Sequence, residues 1–169
     1  MRVGLLADTH DRVPALEALL ERFAEAGVGL VLHAGDYCSP FALGPFRRAG
    51  VALLGVFGRN DGDRDGLRAA AGALPAGGEL VESPHSVELG GRNLLLVHDL
   101  GDALARSVEA HAVVVHGCSH RAEVRQRGGA LLVNPGEACG WISGEPRAAV
   151  LDLDALRVEP VSLGAGWRC

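Results

Sequence analysis

Short apolar runs that alternate with helical patterns constrain the fold of this chain more than any other feature. Residues 3–7, 30–32 and 51–57 are continuous apolar runs with the length of buried strands. Helices are predicted between and after them, over residues 14–26, 41–49 (interrupted by Gly44-Pro45) and 67–74. This β-α-β-α-β order predicts a parallel sheet joined by right-handed crossovers.

Hairpins dominate the second half of the chain. The pairs Gly90-Gly91 and Gly128-Gly129 each separate two strand-like runs. Further strands are predicted over 94–97 and 113–115, a helix over 102–110, and an antiparallel pair over 148–153 and 156–161. The sequence therefore predicts an α/β fold in which two mixed β-sheets pack as a sandwich flanked by helices. We expect one domain over residues 1–169.

Composition excludes several classes of protein. Hydrophobic residues make up 48% of the 169 residues, which is too many for a disordered chain. No apolar run reaches the ~18 residues of a membrane span. The net charge of −5 argues against sequence-blind binding of nucleic acid. Four irregularly spaced cysteines do not form a disulfide pattern, so we expect a cytoplasmic protein with reduced thiols, either monomeric or homo-oligomeric.

Residues with metal-binding side chains follow six of the predicted strands. The strand ends carry Asp8 and His10, His33 and Asp36, Asn60 and Asp61, His98 and Asp99, His116, Cys118 and His120, and Asn134. Carboxylates and imidazoles are a ligand set for Mn, Fe, Zn, Co or Ni. Singly, each has an ordinary alternative, such as a helix N-cap for Asp8. Because sites in α/β sheets form beyond the carboxyl ends of strands, the repetition favours a shared metal site.

In their order along the chain, these blocks resemble the calcineurin-like metallophosphoesterases, and in particular the small bacterial and archaeal phosphodiesterases. The resemblance runs through Asp8-x-His10, Gly35-Asp36, Gly58-Arg59-Asn60-Asp61, His98, Gly117-x-x-His120 and Asn134-Pro135-Gly136. It implies a two-sheet sandwich, which agrees with the pattern above, and a two-metal site. By this resemblance, the ligands of the first metal are Asp8, His10, Asp36 and His120. Asp36 then bridges to a second metal that also binds His98.

The resemblance also implies a reaction and a substrate class. A metal-activated hydroxide attacks phosphorus in a small phosphodiester or phosphomonoester. Manganese is the favoured ion, with nickel, cobalt, zinc or iron as alternatives. The expected partner is accordingly a small phosphorylated substrate.

Two positions depart from the family pattern, both at the second metal. The ungapped match places Arg59, which cannot ligate a metal, where the family has an asparagine, and Asn60 follows it. Cys118 replaces a histidine and is either a soft metal ligand or a buried thiol without a role. Three arrangements are open: two metals with Cys118 and a displaced Asn60, one metal with Arg59 binding phosphate, or no functional metal. Arg59 and Asn60 are the candidate catalytic residues.

A non-catalytic scaffold is the alternative to a hydrolase. The retromer scaffold subunit resembles the same family, so a degraded metal site is compatible with that role. The intact metal-ligand candidates favour catalysis, whereas Arg59 and Cys118 favour the scaffold. Trp141 and Trp167 are interpreted as core or partner-contact residues rather than as the rim of a pocket.

Overall fold

Strands and short helices account for most of residues 1–168, the part of the chain that the computed structural model describes. The strands are β1 (Arg2–Leu6), β2 (Leu30–His33), β3 (Ala52–Val56), β4 (Gly78–Val81), β5 (His85–Leu89), β6 (Arg92–Val97), β7 (Val113–His116), β8 (Glu123–Arg127), β9 (Ala130–Asn134), β10 (Arg147–Asp152) and β11 (Arg157–Ser162). The helices are α1 (Val13–Glu25), α2 (Gly44–Ala49), α3 (Arg64–Gly72) and α4 (Ala105–Glu109), with 3₁₀ turns at Pro40–Leu43 and Leu100–Asp102.

The strands form two mixed sheets. The first has the order β11-β10-β1-β2-β3-β4, with β1 to β4 parallel, and the second has the order β5-β6-β7-β9-β8, with β6, β7 and β9 parallel. Apolar side chains of both sheets share one buried core, and α1, α2 and α3 cover the other face of the first sheet. The predicted α/β sandwich is therefore confirmed.

Strand β1 shows why its sequence is apolar without alternation. Val3 and Leu5 pack between the sheets, whereas Leu6 packs with the side chains of α1. A strand buried on both faces needs apolar residues at successive positions. Gly4 faces α1 so closely that an added Cβ would lie 2.5 Å from the Phe23 ring.

Two segments differ from the sequence prediction. Strand β4 has no predicted counterpart, because Leu80 is its only fully buried residue and its apolar run is short. The helix expected over 102–110 is instead a 3₁₀ turn, an extended Leu104 and the single-turn α4. Asp99 caps that 3₁₀ turn by accepting a hydrogen bond from Gly101 N at 2.8 Å, which starts a separate element before α4.

The carboxyl ends of the parallel strands meet at one edge of the sandwich. Two hydrogen bonds join this edge: Gly117 N donates to the His98 carbonyl at 3.0 Å, and His98 Nδ1 donates to the Ala34 carbonyl at 2.8 Å. The second of these joins the two sheets. Loops from both sheets are therefore held together where the polar residues lie. Among residues 1–168, no helix combines the length and apolarity needed to cross a bilayer.

Candidate metal centre

Backbone strain is concentrated in the loops at this edge. Within the described residues, positive φ angles, which L-residues rarely adopt, occur outside glycine at eight positions. Seven of them lie in these loops: Asp8, His10, Asp11, Asp36, Cys38, Cys118 and His120. Such conformations persist only where the surroundings fix them, and they cluster at functional sites.

Asp61 fixes two of these loops to each other. One carboxylate oxygen accepts hydrogen bonds from the backbone N–H groups of Tyr37 at 2.6 Å and Cys38 at 2.9 Å. The other accepts from Gly58 at 2.6 Å and Asp36 at 3.2 Å. A Cβ on Gly58 would lie 2.2 Å from Asp36 Oδ1, so only glycine allows this close approach. Asp61 therefore shapes the site without facing its centre.

Asp36 lies at the centre of the polar cluster. Its Oδ2 is 3.5 Å from His10 Nε2, and its Oδ1 is 3.5 Å from His98 Nε2. Asn60 reaches the same carboxylate, since its backbone N donates to Oδ1 at 2.9 Å and its Nδ2 to Oδ2 at 2.8 Å. Burial opposes ionisation of Asp36, but the hydrogen bonds from Asn60 outweigh it and lower the pKa. Asp36 is thus an ionised carboxylate between two imidazoles.

The hydrogen bond to Ala34 sets the tautomer of His98. A carbonyl oxygen can only accept, so Nδ1 of His98 carries the proton. In the neutral ring, Nε2 then presents a lone pair to Asp36 Oδ1 across 3.5 Å. Two acceptors that face each other in this way repel, and a cation between them would turn the repulsion into ligation.

Asp8 and His10 form the other side of the cluster. One ligand atom from each of Asp8, His10 and Asp36 lies within 4.8 Å of the other two. Asp8 Oδ2 and His10 Nε2 are buried and have no hydrogen-bond partner among residues 1–168. Burial, partly offset by His120, raises the pKa of Asp8 to about 6. Unpartnered buried groups are costly, and a divalent cation would satisfy both of them.

Glu137 holds His120 from behind. Nδ1 of His120 donates to Glu137 Oε2 at 2.8 Å, which leaves Nε2 directed toward Asp8 Oδ1 at 3.9 Å. The Glu137 carboxylate also accepts from the backbone N–H groups of Ile142 and Ser143. Burial opposes ionisation, but the hydrogen bonds from His120 and Ser143 lower the pKa of Glu137 to about 2. A carboxylate behind a histidine is the arrangement that orients metal ligands.

Three thiols surround the cluster. Cys139 Sγ lies within 4.8 Å of ligand nitrogens of His10 and His120, and it donates to Glu137 Oε2 at 3.2 Å. Cys38 Sγ is 3.4 Å from Nδ1 of His10. Burial raises the pKa of all three thiols, including Cys118, so they are protonated at neutral pH. Cys118 Sγ lies 3.7 Å from Asp99 Oδ2, outside both groups of three candidate ligands among residues 1–168.

Arg59 points away from the centre. Its guanidinium pairs with the Asp99 carboxylate, and its side chain is 61% exposed. The next residue, Asn60, contacts Asp36 instead. Of the two residues, Asn60 therefore lies beside the Asp36 carboxylate and Arg59 lies at the rim.

Comparison with known proteins assigns the chain to a family. The model of the calcineurin-like phosphoesterase superfamily domain matches residues 1–156. The chain belongs to the calcineurin-like phosphoesterase superfamily. Within the superfamily, the phosphodiesterase MJ0936 of Methanocaldococcus jannaschii is 27% identical over 157 residues, which cover 91% of this chain and 94% of the relative.

Solved structures of small phosphoesterases have the same fold. An archaeal phosphodiesterase superposes with a TM-score of 0.89 at 27% identity, covering 96% of this chain and 100% of the other. The phosphoesterase Yfce from E. coli gives 0.69 at 20% identity, covering 97% and 100%. Vps29 from Entamoeba histolytica, solved with Zn²⁺, gives 0.66 at 17% identity, also covering 97% and 100%. The last two show the likeness of fold alone.

The structure brings five of the six proposed metal ligands together, namely Asp8, His10, Asp36, His98 and His120. Cys118 lies to one side of them. Sequence reasoning missed Glu137 and Cys139, although a carboxylate just after the Asn134-Pro135-Gly136 block is a signal that could have found Glu137. Asp11 accepts hydrogen bonds from Ser39 and orders the loop around Cys38.

Proposed function

We propose that this protein is a metal-dependent phosphoesterase that hydrolyses small phosphodiesters at a centre built on Asp36. The observation that carries the proposal is the Asp36 carboxylate, whose two oxygens each face an imidazole Nε2 at 3.5 Å. A carboxylate that offers one oxygen to each of two ligand groups is suited to bridge two cations.

The residues divide into two ligand sets. Asp8, His10, Asp36 and His120 would hold one divalent cation. Asp36, His98 and Asn60 would hold the second, with Asn60 turning its amide so that Oδ1 and not Nδ2 faces the cation. When bound, such ions polarise phosphoryl oxygens and lower the pKa of water to near neutrality. Oxygen and imidazole ligands suit manganese. The Cys139 thiol beside His10 and His120 would suit a softer ion such as zinc, so both metals are included in the test.

Arginines at the rim supply donors for the substrate. A cavity of about 180 Å³ opens beside His98 and is lined by Arg59, Arg64 and Ser83. A guanidinium can give two parallel hydrogen bonds to a phosphate. We propose that Arg59 leaves Asp99 to bind a non-bridging oxygen of the substrate, which makes it a binding residue rather than a substitute for a metal.

Asn60 limits the choice of leaving group. An asparagine amide cannot donate a proton to a departing alkoxide. We therefore expect faster turnover of esters with acidic leaving groups, such as p-nitrophenol, than of alkyl esters. The reduced thiols of Cys38, Cys118 and Cys139 also fit the proposed cytoplasmic location.

The test is hydrolysis of bis-p-nitrophenyl phosphate by chelator-treated protein with added Mn²⁺, Ni²⁺, Co²⁺ or Zn²⁺. We expect saturable turnover that depends on the metal and is lost in Asp36→Asn. Asp63→Asn is the matched control, because Asp63 caps α3 outside the cluster. Absence of turnover with every metal, in protein that is folded by circular dichroism, would contradict the proposal.

A scaffold is the second candidate function. It is favoured by the Arg59–Asp99 ion pair at the rim, which places a positive charge beside the second ligand set. On this alternative, the protein would bind a partner and remain inactive with every metal.

A further inference from the structure

Large exposed apolar side chains occur on segments that leave the site edge. Phe41, Leu104, Trp141 and Ile142 are all exposed, and they lie on segments that follow β2, β6 and β9. Trp141 is 63% exposed and Ile142 is 75% exposed. Of the two roles expected for Trp141, core residue or partner contact, its exposure excludes the core. Two adjacent large apolar residues on a loop beside a polar centre require a reason other than packing.

Trp141 is held in place in spite of its exposure. The Arg12 guanidinium lies 4.5 Å from the centroid of the Trp141 ring and 5.2 Å from that of Trp167. Arg12 also donates hydrogen bonds to the carbonyl oxygens of Cys139 and Trp167. The cation covers part of one indole face and restricts its motion, while the rest of the ring meets solvent.

The loop of Trp141 is fastened directly to the metal ligands. Ile142 N donates to Glu137 Oε1 at 2.9 Å, and Glu137 Oε2 accepts from His120 at 2.8 Å. Cys139 N donates to the Asp8 carbonyl at 3.0 Å. Two hydrogen bonds through one carboxylate thus connect the backbone of Ile142 to the His120 imidazole. The backbone that carries the apolar pair is therefore tied to the proposed site of hydrolysis.

We propose that Trp141 and Ile142 form a binding surface for the ester group that stays on phosphorus, where that group is planar and aromatic, such as a nucleoside or an aryl ring. This inference rests on the proposed function. The phosphate of a diester at Asp36 carries two ester groups, and one of them must extend over the rim of the centre. A rigid indole next to an aliphatic side chain stacks with any planar ring and so selects aromatic esters over alkyl esters.

The direct attachment of the loop to Glu137 favours substrate over a protein partner. A surface for a separate protein does not need to be anchored to the carboxylate that orients His120. A surface that positions part of the reacting molecule does, because small displacements of a substrate reduce the rate steeply.

The test compares three diesters that share the p-nitrophenyl leaving group and differ in the second group, which is p-nitrophenyl, thymidine or methyl. In the wild type with Mn²⁺, we expect kcat/KM for the first two to exceed that for the methyl ester by about tenfold or more. Trp141→Leu should remove this preference through KM and leave the methyl ester unaffected. Trp141→Phe should retain most of the preference, because its ring still stacks.

Trp167→Ala is the matched control, since Trp167 also contacts Arg12 and lies on the C-terminal segment. Its preference among the diesters should equal that of the wild type. An equal loss for all three diesters in Trp141→Leu, or no loss for any, would overturn the inference while the proposed function stands. Failure of the wild type to hydrolyse any of the three would refute the proposed function itself, and the inference with it.

Equilibrium dialysis of thymidine 5′-monophosphate against Mn²⁺-loaded protein gives a readout besides turnover. Trp141→Leu should weaken its binding and should leave the binding of inorganic phosphate unchanged. Equal weakening of both ligands would overturn the inference, because it would mean that the substitution disturbs the metal centre.

Discussion

Nδ1 of His120 donates a hydrogen bond to Glu137 Oε2 at 2.8 Å, and this contact joins the metal centre to the loop after β9. The carboxylate fixes the tautomer of the imidazole, so that Nε2 is the atom free to bind a cation. The same carboxylate accepts from the backbone of Ile142 and Ser143, which orders the loop that carries Trp141. One buried acid therefore supports both the proposed ligand set and the proposed binding surface.

Removing the charge of Glu137 should weaken metal binding. In Glu137→Gln the amide cannot polarise His120 as a carboxylate does, so we expect Mn²⁺ affinity to fall about 10–100-fold. Isothermal titration of metal-free protein measures this. Glu145→Gln is the control, because Glu145 lies on the same loop but pairs with Arg147. An unchanged affinity in Glu137→Gln would show that the contact with His120 has no part in binding the metal.

Asn60 and Arg59 should differ in their effect on the number of bound ions. Asn60 Nδ2 lies 2.8 Å from Asp36 Oδ2, whereas Arg59 pairs with Asp99 at the rim. We expect Asn60→Ala to lose one of two Mn²⁺ ions per chain and Arg59→Ala to retain both. Elemental analysis after dialysis against Mn²⁺ counts them. The reverse result would show that Asn60 holds no ion and that binding of the second ion depends on Arg59 at the rim.

Asp8 should destabilise the metal-free protein at neutral pH. Its pKa, raised by burial to about 6 from 3.8, means that the stability present at low pH is lost as the pH rises through 6. Asparagine carries no charge at this buried position. We therefore expect the free energy of unfolding of metal-free Asp8→Asn to exceed that of the wild type by up to about 3 kcal/mol at pH 7. Urea unfolding measures the difference, which should vanish at pH 4. Saturating Mn²⁺ should reverse the order, because the wild type, with all its proposed ligands, gains more binding energy than Asp8→Asn.

His33 should make the protein less stable in acid. The backbone N–H of Gly35 donates to Nδ1 of His33, and Nε2 of the same ring donates to Thr9 Oγ1. The buried ring is therefore neutral. Burial lowers its pKa from 6.5 to about 3, so stability present above pH 6.5 is lost as the pH falls toward 3. When the pH falls from 7 to 5, we expect the free energy of unfolding to decrease by about 2 kcal/mol less in His33→Asn than in the wild type.

Chemical unfolding at the two pH values measures the effect of His33, and His85→Asn on strand β5 is the control. Protonation of Asp8 increases the stability over part of this pH range. Because Asp8 is present in the wild type, His33→Asn and His85→Asn alike, its effect cancels in the comparison. Equal losses in the wild type and His33→Asn would contradict the assignment.

The residues that sequence reasoning placed at the site lie in the loops just after the carboxyl ends of parallel strands. Asp36 and His98 follow apolar runs whose parallel pairing forces their ends to one edge, so topology alone brings them together. The displaced Asn60 could be stated only as one of three arrangements. The choice depends on how Asp61 folds the turn, through four hydrogen bonds that bring together residues up to 25 positions apart.

Contacts between irregular loops were beyond prediction. Glu137 and His120 are 17 positions apart with strands β8 and β9 between them, and no periodic pattern links them. Trp141 gives no signal of its exposure, because an indole in a loop is found in cores and on surfaces alike. Strand β4 was not predicted because its apolar run is short and most of its residues are partly exposed. Only its pairing with β3 identifies it as a strand.

The most direct test of the central claim is anomalous diffraction from crystals of the protein soaked in saturating Mn²⁺. The account predicts two manganese peaks on opposite sides of the Asp36 carboxylate, one beside Asp8 and His10 and the other beside His98 and Asn60. Crystals in which no manganese contacts Asp36 would contradict it.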